Sequence, residues 1–218
     1  PEGNHTGLIT HTAMSADLEY DGIAIVNLVV DIVDNDAPVI VINEIDADQT
    51  GVDTMEFVEL YDGGVGNVSL SGMTLVVFNG ANDVSYFVFN LDGYFTDANG
   101  FFLIGNPAVP GVAATFSNNT LQNGQDAVAL YSGSFSTNSP VTTTNLLDAI
   151  VYQTTNSQPI DEGLLILLHE GELQVNENQN GAALTQSLAR VPDGGEPRRT
   201  GTYRAQTPTP GAPNQELF

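Results

Sequence analysis

The sequence predicts an all-β protein built as an antiparallel sandwich, on three observations. Short runs rich in Val, Ile, Phe and Tyr recur along the chain; Gly-, Asn- and Asp-rich turns separate them; and no stretch carries a convincing apolar period of 3.6 residues. The 218 residues are 41% hydrophobic, enough for a real core, and permit one medium domain, or one domain plus a fragment.

The first strand signal is residues 23–32 (IAIVNLVVDI), where β-branched residues dominate. Asp34, Asn35, Asp36 and Pro38 then punctuate the chain and mark a domain boundary. Further strands are expected at residues 39–45 (VIVINEI), 56–61 (EFVELY), 73–78 (MTLVVF), 84–90 (VSYFVFN), 100–104 (GFFLI), 126–131 (DAVALY) and 147–152 (LDAIVY). Turns such as DGGVGN, NGAND and TDANG lie between them, so the sandwich has about seven strands and needs no helix. Residues 106–125 and 154–186 read as long polar connections. Residues 205–214 (AQTPTPGAPN) are too rich in Pro for a regular ladder and should lie extended against the sandwich or project from it.

Charge sets the next limits. Against 27 Asp and Glu stand 4 cations, giving −23. All four are arginines, Arg190, Arg198, Arg199 and Arg204, so the first 189 residues have no Lys or Arg. Self-repulsion must be relieved by salt, bound cations or exposed placement, which suits salty or calcium-containing surroundings and equally a plainly acidic, soluble surface. Nucleic acid and anionic membranes are disfavoured partners. The absence of Cys excludes a disulfide framework, a Cys-ligated zinc site and a thiol nucleophile. No apolar stretch approaches the roughly 20 residues that span a bilayer; the longest, residues 164–168, is far shorter. The start, without Met or a basic n-region, is expected to be an excerpt of a longer chain whose signal peptide, if any, lay upstream.

Three separated stretches carry a resemblance. VINEIDADQTGVDTMEFVELYDGG with VSLSGMTLVVFNG, then NGQDAVALY with LLDAIVY, then QSLARVPDG with TPTPGAPN, resemble in order the bacterial lamin-tail domain across residues 38–214. The resemblance implies an immunoglobulin-like β-sandwich, with Phe57 between the sheets and Glu56 and Glu59 at sheet ends or on loops. Where the family usually carries Trp, this chain has Met73, so Phe78, Phe87 and Phe89 are expected to supply the missing core volume. Residues 1–37, through SADLEYDG and the Asp34-Asn35-Asp36 triplet, resemble more faintly the end of a Calx-beta-like module. Two closing strands alone bury no core of their own.

Paired acids are the main chemical material. Asp34 and Asp36 sit at the boundary, and Asp46, Asp48, Asp53 and Glu56 cluster in DADQTGVDTME. Oxygen-only ligands at close spacing suit calcium, the one cofactor the sequence suggests; a solvated acidic turn is the competing reading. The loop is no EF-hand, because Thr50 and Phe57 occupy ligand positions five and twelve. His5, His11 and His169 have no zinc spacing and read as surface or structural residues. No GxSxG elbow is present, and glycosidase-like carboxylate pairs are uninformative where acids abound. The four arginines are expected to fasten the C-terminal segment to the acidic body rather than hold an anion. Tyr86, Tyr94, Phe95, Phe101 and Phe102 are dense enough for a carbohydrate platform, although alternation sends about half of them inward.

Two function classes follow. The first is a non-catalytic scaffold, adhesion or targeting module of a secreted or cell-surface bacterial protein, contacting neighbouring domains and protein or glycan surfaces. The second is the accessory region of an exported nuclease or phosphatase whose catalytic domain lies elsewhere. Both rest on the expectation that the interior is aliphatic and aromatic, with every carboxylate outside.

Overall fold

The computed structural model describes residues 5–32, 38–157 and 159–215. The chain divides into two compact units, residues 1–38 and 39–218. In the first, β1 (His5–Ile9) and β2 (Leu28–Ile32) pair antiparallel, His5 opposite Ile32 and Ile9 opposite Leu28. Only the last half of the expected 23–32 strand forms. SADLEYDG folds as a side-chain-capped turn: Asp17 accepts from Glu19 N, and Ser15 N donates to Asp21 Oδ1. Leu8, Leu28 and Val29 of the ribbon are exposed.

The second unit is an all-β sandwich. Its six-stranded sheet runs β13-β12-β3-β4-β7-β8 and its five-stranded sheet β11-β10-β9-β5-β6. The ranges are β3 (Val41–Asp46), β4 (Phe57–Tyr61), β5 (Met73–Asn79), β6 (Val84–Asn90), β7 (Phe101–Gly105), β8 (Ala114–Thr115), β9 (Asp126–Ser132), β10 (Leu146–Gln153), β11 (Val175–Asn176), β12 (Ser187–Arg190) and β13 (Tyr203–Gln206). All seven sandwich strands expected from the sequence form. The four additions, β8, β11, β12 and β13, span two to four residues each. The two shortest pair parallel, β8 on β7 and β11 on β10; every other pairing is antiparallel.

Alternation along the strands separates the cores, because successive side chains point to opposite faces. Between the sheets lie Ile42, Ile45, Val58, Leu60, Leu75, Val77, Phe102, Ile104, Val128, Leu130, Ile150 and Tyr152. On the outer face of the five-stranded sheet, Ala127, Ala129 and Ala149 are small enough to admit Leu164, Leu167 and Leu168 from the 3-10 turn Leu164–Leu167 and the residue after it. That turn, with two others of three and four residues, is the helical content of the described residues.

Phe57 corrects an expectation: it packs with Leu103 and Val109 in a separate cluster, while Val58 and Leu60, of opposite parity, face the other sheet. Phe78 likewise joins the outer cluster, and Phe87 and Phe89 pack against the inter-sheet core. Turn chemistry fixes the loop after β4. Asp62 accepts from Gly64 N, Val65 N, Gly66 N and Thr96 Oγ1. Gly100, at φ 95, lies so close that a Cβ there would meet Asp62 Oδ1 at 2.2 Å.

Candidate functional site

The interior is not purely apolar. Glu44, Glu59, Asp148 and Arg190 are fully buried. Strand parity places Asp148 on the face of β10 that carries Ile150 and Tyr152, and Arg190 on the face of β12 that carries Leu188, so the ion pair joins the two sheets. Arg190 Nη2 reaches both Asp148 oxygens, at 3.1 and 3.2 Å. Its Nε donates to Ile42 O and its Nη1 to Glu196 O. Asp148 also accepts from the backbone N–H of Ile42, Ala149 and Arg198. Burial pushes the Asp148 carboxyl up; Arg190 and the three amides pull it down. The three backbone N–H groups and the guanidinium all donate to it and offset part of the cost of burying the carboxyl.

A second buried arrangement lies beside it. The register sets Glu44 directly opposite Glu59, a like-charge pair that costs stability unless other groups answer it. Donors arrive from distant parts of the chain. Ser187 Oγ and Thr209 N donate to Glu44 Oε1, and Thr209 Oγ1 to Glu44 Oε2 at 2.9 Å. Gly211 N donates to Glu59 Oε2 at 2.7 Å and Asn43 Nδ2 to Glu59 Oε1 at 3.0 Å. Asn214 closes the set, its Nδ2 donating to Arg190 O and its N to Asp193 Oδ1. The Pro-rich segment therefore lies on the sandwich because buried carboxylates hold its N–H groups. Burial still pushes Glu59 up to about 8, with Asn43 and Gly211 opposing and Glu44 and Asp193 adding.

Asn214→Ala is expected to cost about 1–2 kcal/mol in urea unfolding, since it removes one buried donor to a backbone carbonyl. Proteolysis should then start in residues 207–215. An unchanged urea midpoint would show that the side chain does not hold the segment.

The other arginines are also engaged internally. Arg198 donates to the carbonyls of Ile166, Leu167 and Leu168, Arg199 pairs with Glu172 and Glu196, and Arg204 donates to Gly201 O and Tyr203 O. Of the four, Arg190 is the one seen to meet the Pro-rich tail, through its carbonyl oxygen.

The acidic loop after β3 separates its residues. Asp34 and Asp36 lie outside the described residues. Glu56 turns away from the loop: it accepts from Thr120 N, Leu121 N and Asn106 Nδ2, and burial pushes it up to about 7. Asp46, Asp48 and Asp53 remain together. Gln49 bridges two of them, its Nε2 donating to Asp46 Oδ1 and its N to Asp53 Oδ1. Asn123 Nδ2 stands between Asp48 Oδ1 and Asp53 Oδ2, at 3.1 and 3.2 Å. Burial holds the Asp46 carboxyl up to about 8.

Sequence reasoning missed the fourth member, Glu177. It opens the 3-10 turn Glu177–Asn180, and its Oε1 accepts from Ala47 N at 3.1 Å. Its Oε2 is buried without a hydrogen-bond partner. Burial raises this carboxyl most, and Asp46, Asp48 and Asp53 add to it. Among the described residues no three acidic or histidine side chains already converge as a metal site. A solvent-open groove of about 510 Å³ flanks the loop, lined by Asp48, Thr50, Thr155, Asn178 and Leu184. A similar one, about 520 Å³, is lined by Glu172, Gln174, Asn176, Gln179 and Arg204.

The aromatic platform does not assemble. Phe102 is in the core, Tyr86 and Tyr94 pack against it, and Phe101 is buried on Tyr61 with ring centroids 4.8 Å apart. Phe95 is the member left exposed. Among the described residues no helix is long and apolar enough to cross a membrane. Comparison of the chain with protein families, with curated proteins and with solved structures found no match.

Proposed function

We propose that residues 38–214 form a lamin-tail-like module, after the end of a Calx-beta-like module in residues 1–37, and act as a non-catalytic scaffold, adhesion or targeting domain. Its setting is a secreted or cell-surface bacterial protein, and its partners are neighbouring domains and protein or glycan surfaces. One observation carries the reading. The separated stretches behind the resemblance meet at one place: Asn43, Glu44 and Glu59 from the first, Asp148 from the second, and Ser187, Arg190, Thr209, Gly211 and Asn214 from the third. Their polar atoms are spent on each other and on backbone groups, an arrangement that holds a shape.

The test uses the 218-residue chain. It should be retained saturably by bacterial envelope fragments and show background rates with nitrophenyl phosphate mono- and diesters in calcium, magnesium, manganese or zinc. Hydrolysis above background that disappears on substituting one acidic residue would overturn the non-catalytic role. Absence of retention would remove the adhesion role.

A further inference from the structure

We propose that Asp46, Asp48, Asp53 and Glu177 form a calcium site, completed by the side-chain carbonyl of Asn123 once its amide turns, and that Glu56 takes no part. Two independent observations lead to this donor set.

The first is the orphaned oxygen of Glu177. The residue is 1% exposed, its Oε1 is held by Ala47 N from inside the acidic loop, and Oε2 meets no donor. A buried carboxylate oxygen left unanswered is costly and rare in a folded protein. Ala47 stands between Asp46 and Asp48 in the chain, so the bond from its N–H sets the Glu177 carboxylate against the acidic loop. The charge missing from this surrounding is positive, and the chain has no Lys and no Arg before Arg190 to supply it.

The second is the position of Asn123. A single amide nitrogen holds Asp48 and Asp53 together at 3.1 and 3.2 Å. It occupies the place that a cation shared by those carboxylates would take, and rotation of the amide turns an oxygen to the same point. Calcium accepts about six to eight oxygens at roughly 2.3–2.6 Å in flexible geometry. Carboxylates from a loop and a 3-10 turn with one amide carbonyl suit it better than magnesium, which demands a near-octahedral shell. The groove beside Asp48 opens the site to solvent. Glu56 is excluded because both of its oxygens already accept from backbone amides of Thr120 and Leu121.

The site is independent of the scaffold role, since a calcium response neither requires a partner nor rules one out. It is tested by thermal melting of the full chain in calcium, with magnesium as control and at fixed ionic strength. At calcium a hundredfold above Kd the midpoint should rise by about 5–10 °C. Glu177→Gln and Asp48→Asn should lose that rise, while Glu56→Gln keeps it. Asp48 is partly exposed, so its variant folds whatever the buried positions tolerate. No calcium response in the unaltered chain would overturn the proposal. So would a response that Glu177→Gln and Asp48→Asn leave intact, which would put the ion elsewhere.

Discussion

Arg190→Met is expected to lower the unfolding free energy by about 3–5 kcal/mol, because it leaves the buried Asp148 carboxyl between two sheets without its counter-charge. Methionine replaces much of the arginine volume, so the loss is electrostatic and not a cavity effect. The carbonyls of Ile42 and Glu196 also lose their guanidinium donors. Adding Asp148→Asn should recover part of the loss: the amide carbonyl still accepts from backbone N–H groups, and no charge remains buried. Urea titration of the two single variants and the pair measures this as a double-mutant cycle. A cost below about 1 kcal/mol for Arg190→Met would mean that the pair does not hold the sheets.

Stability should fall as pH rises from about 5 to 9, and Glu59→Gln should remove much of the fall. Glu59 has its ordinary value near 4.5 when unfolded and is held at about 8 when folded, through burial and the charges of Glu44 and Asp193. The folded state therefore binds a proton that the unfolded state releases. Its contribution is complete below the unfolded value and is lost as pH passes through the folded one. Glu44 is raised for the same leading reason, and Asp126 is pushed up to about 7, so both add to the slope. A displacement of this size is worth on the order of 4 kcal/mol, or a midpoint lower by roughly 10 °C at pH 8.5 than at pH 5.5. Glutamine at position 59 keeps an acceptor for Gly211 N and carries no charge to bury, although its amide nitrogen then meets Asn43 Nδ2. The variant should thus melt above the unaltered chain at pH 8.5 and close to it at pH 5.5. A midpoint that climbs with pH, or a slope that Glu59→Gln leaves unchanged, would refute this account.

The strands were legible because their information is local. Val76 and Val77, or Ala149 and Ile150, announce opposite faces simply by being neighbours, and Gly and Asn mark the turns. What was not legible depends on partners far along the chain. Glu59 was expected at a sheet end or on a loop because a carboxylate inside an apolar strand is costly until its donors are known, and Gly211 lies 152 residues from Glu59. Phe57 misled for a related reason, as its cover comes from Leu103 and Val109 on another part of the chain. Arg190 did leave a trace: two residues after Leu188, a cation shares the face of a core leucine. Glu177 left none, since it sits in a polar run of Asn and Gln that resembles any exposed loop.

The fastening of residues 209–214 by Glu44 and Glu59 orders events during biosynthesis. A ribosome releases the two glutamates long before their remote donors, so the β3–β4 pair waits with opposed carboxylates until residues 209–211 have emerged. Native closure then comes after emergence, by long-range pairing that is slow to form.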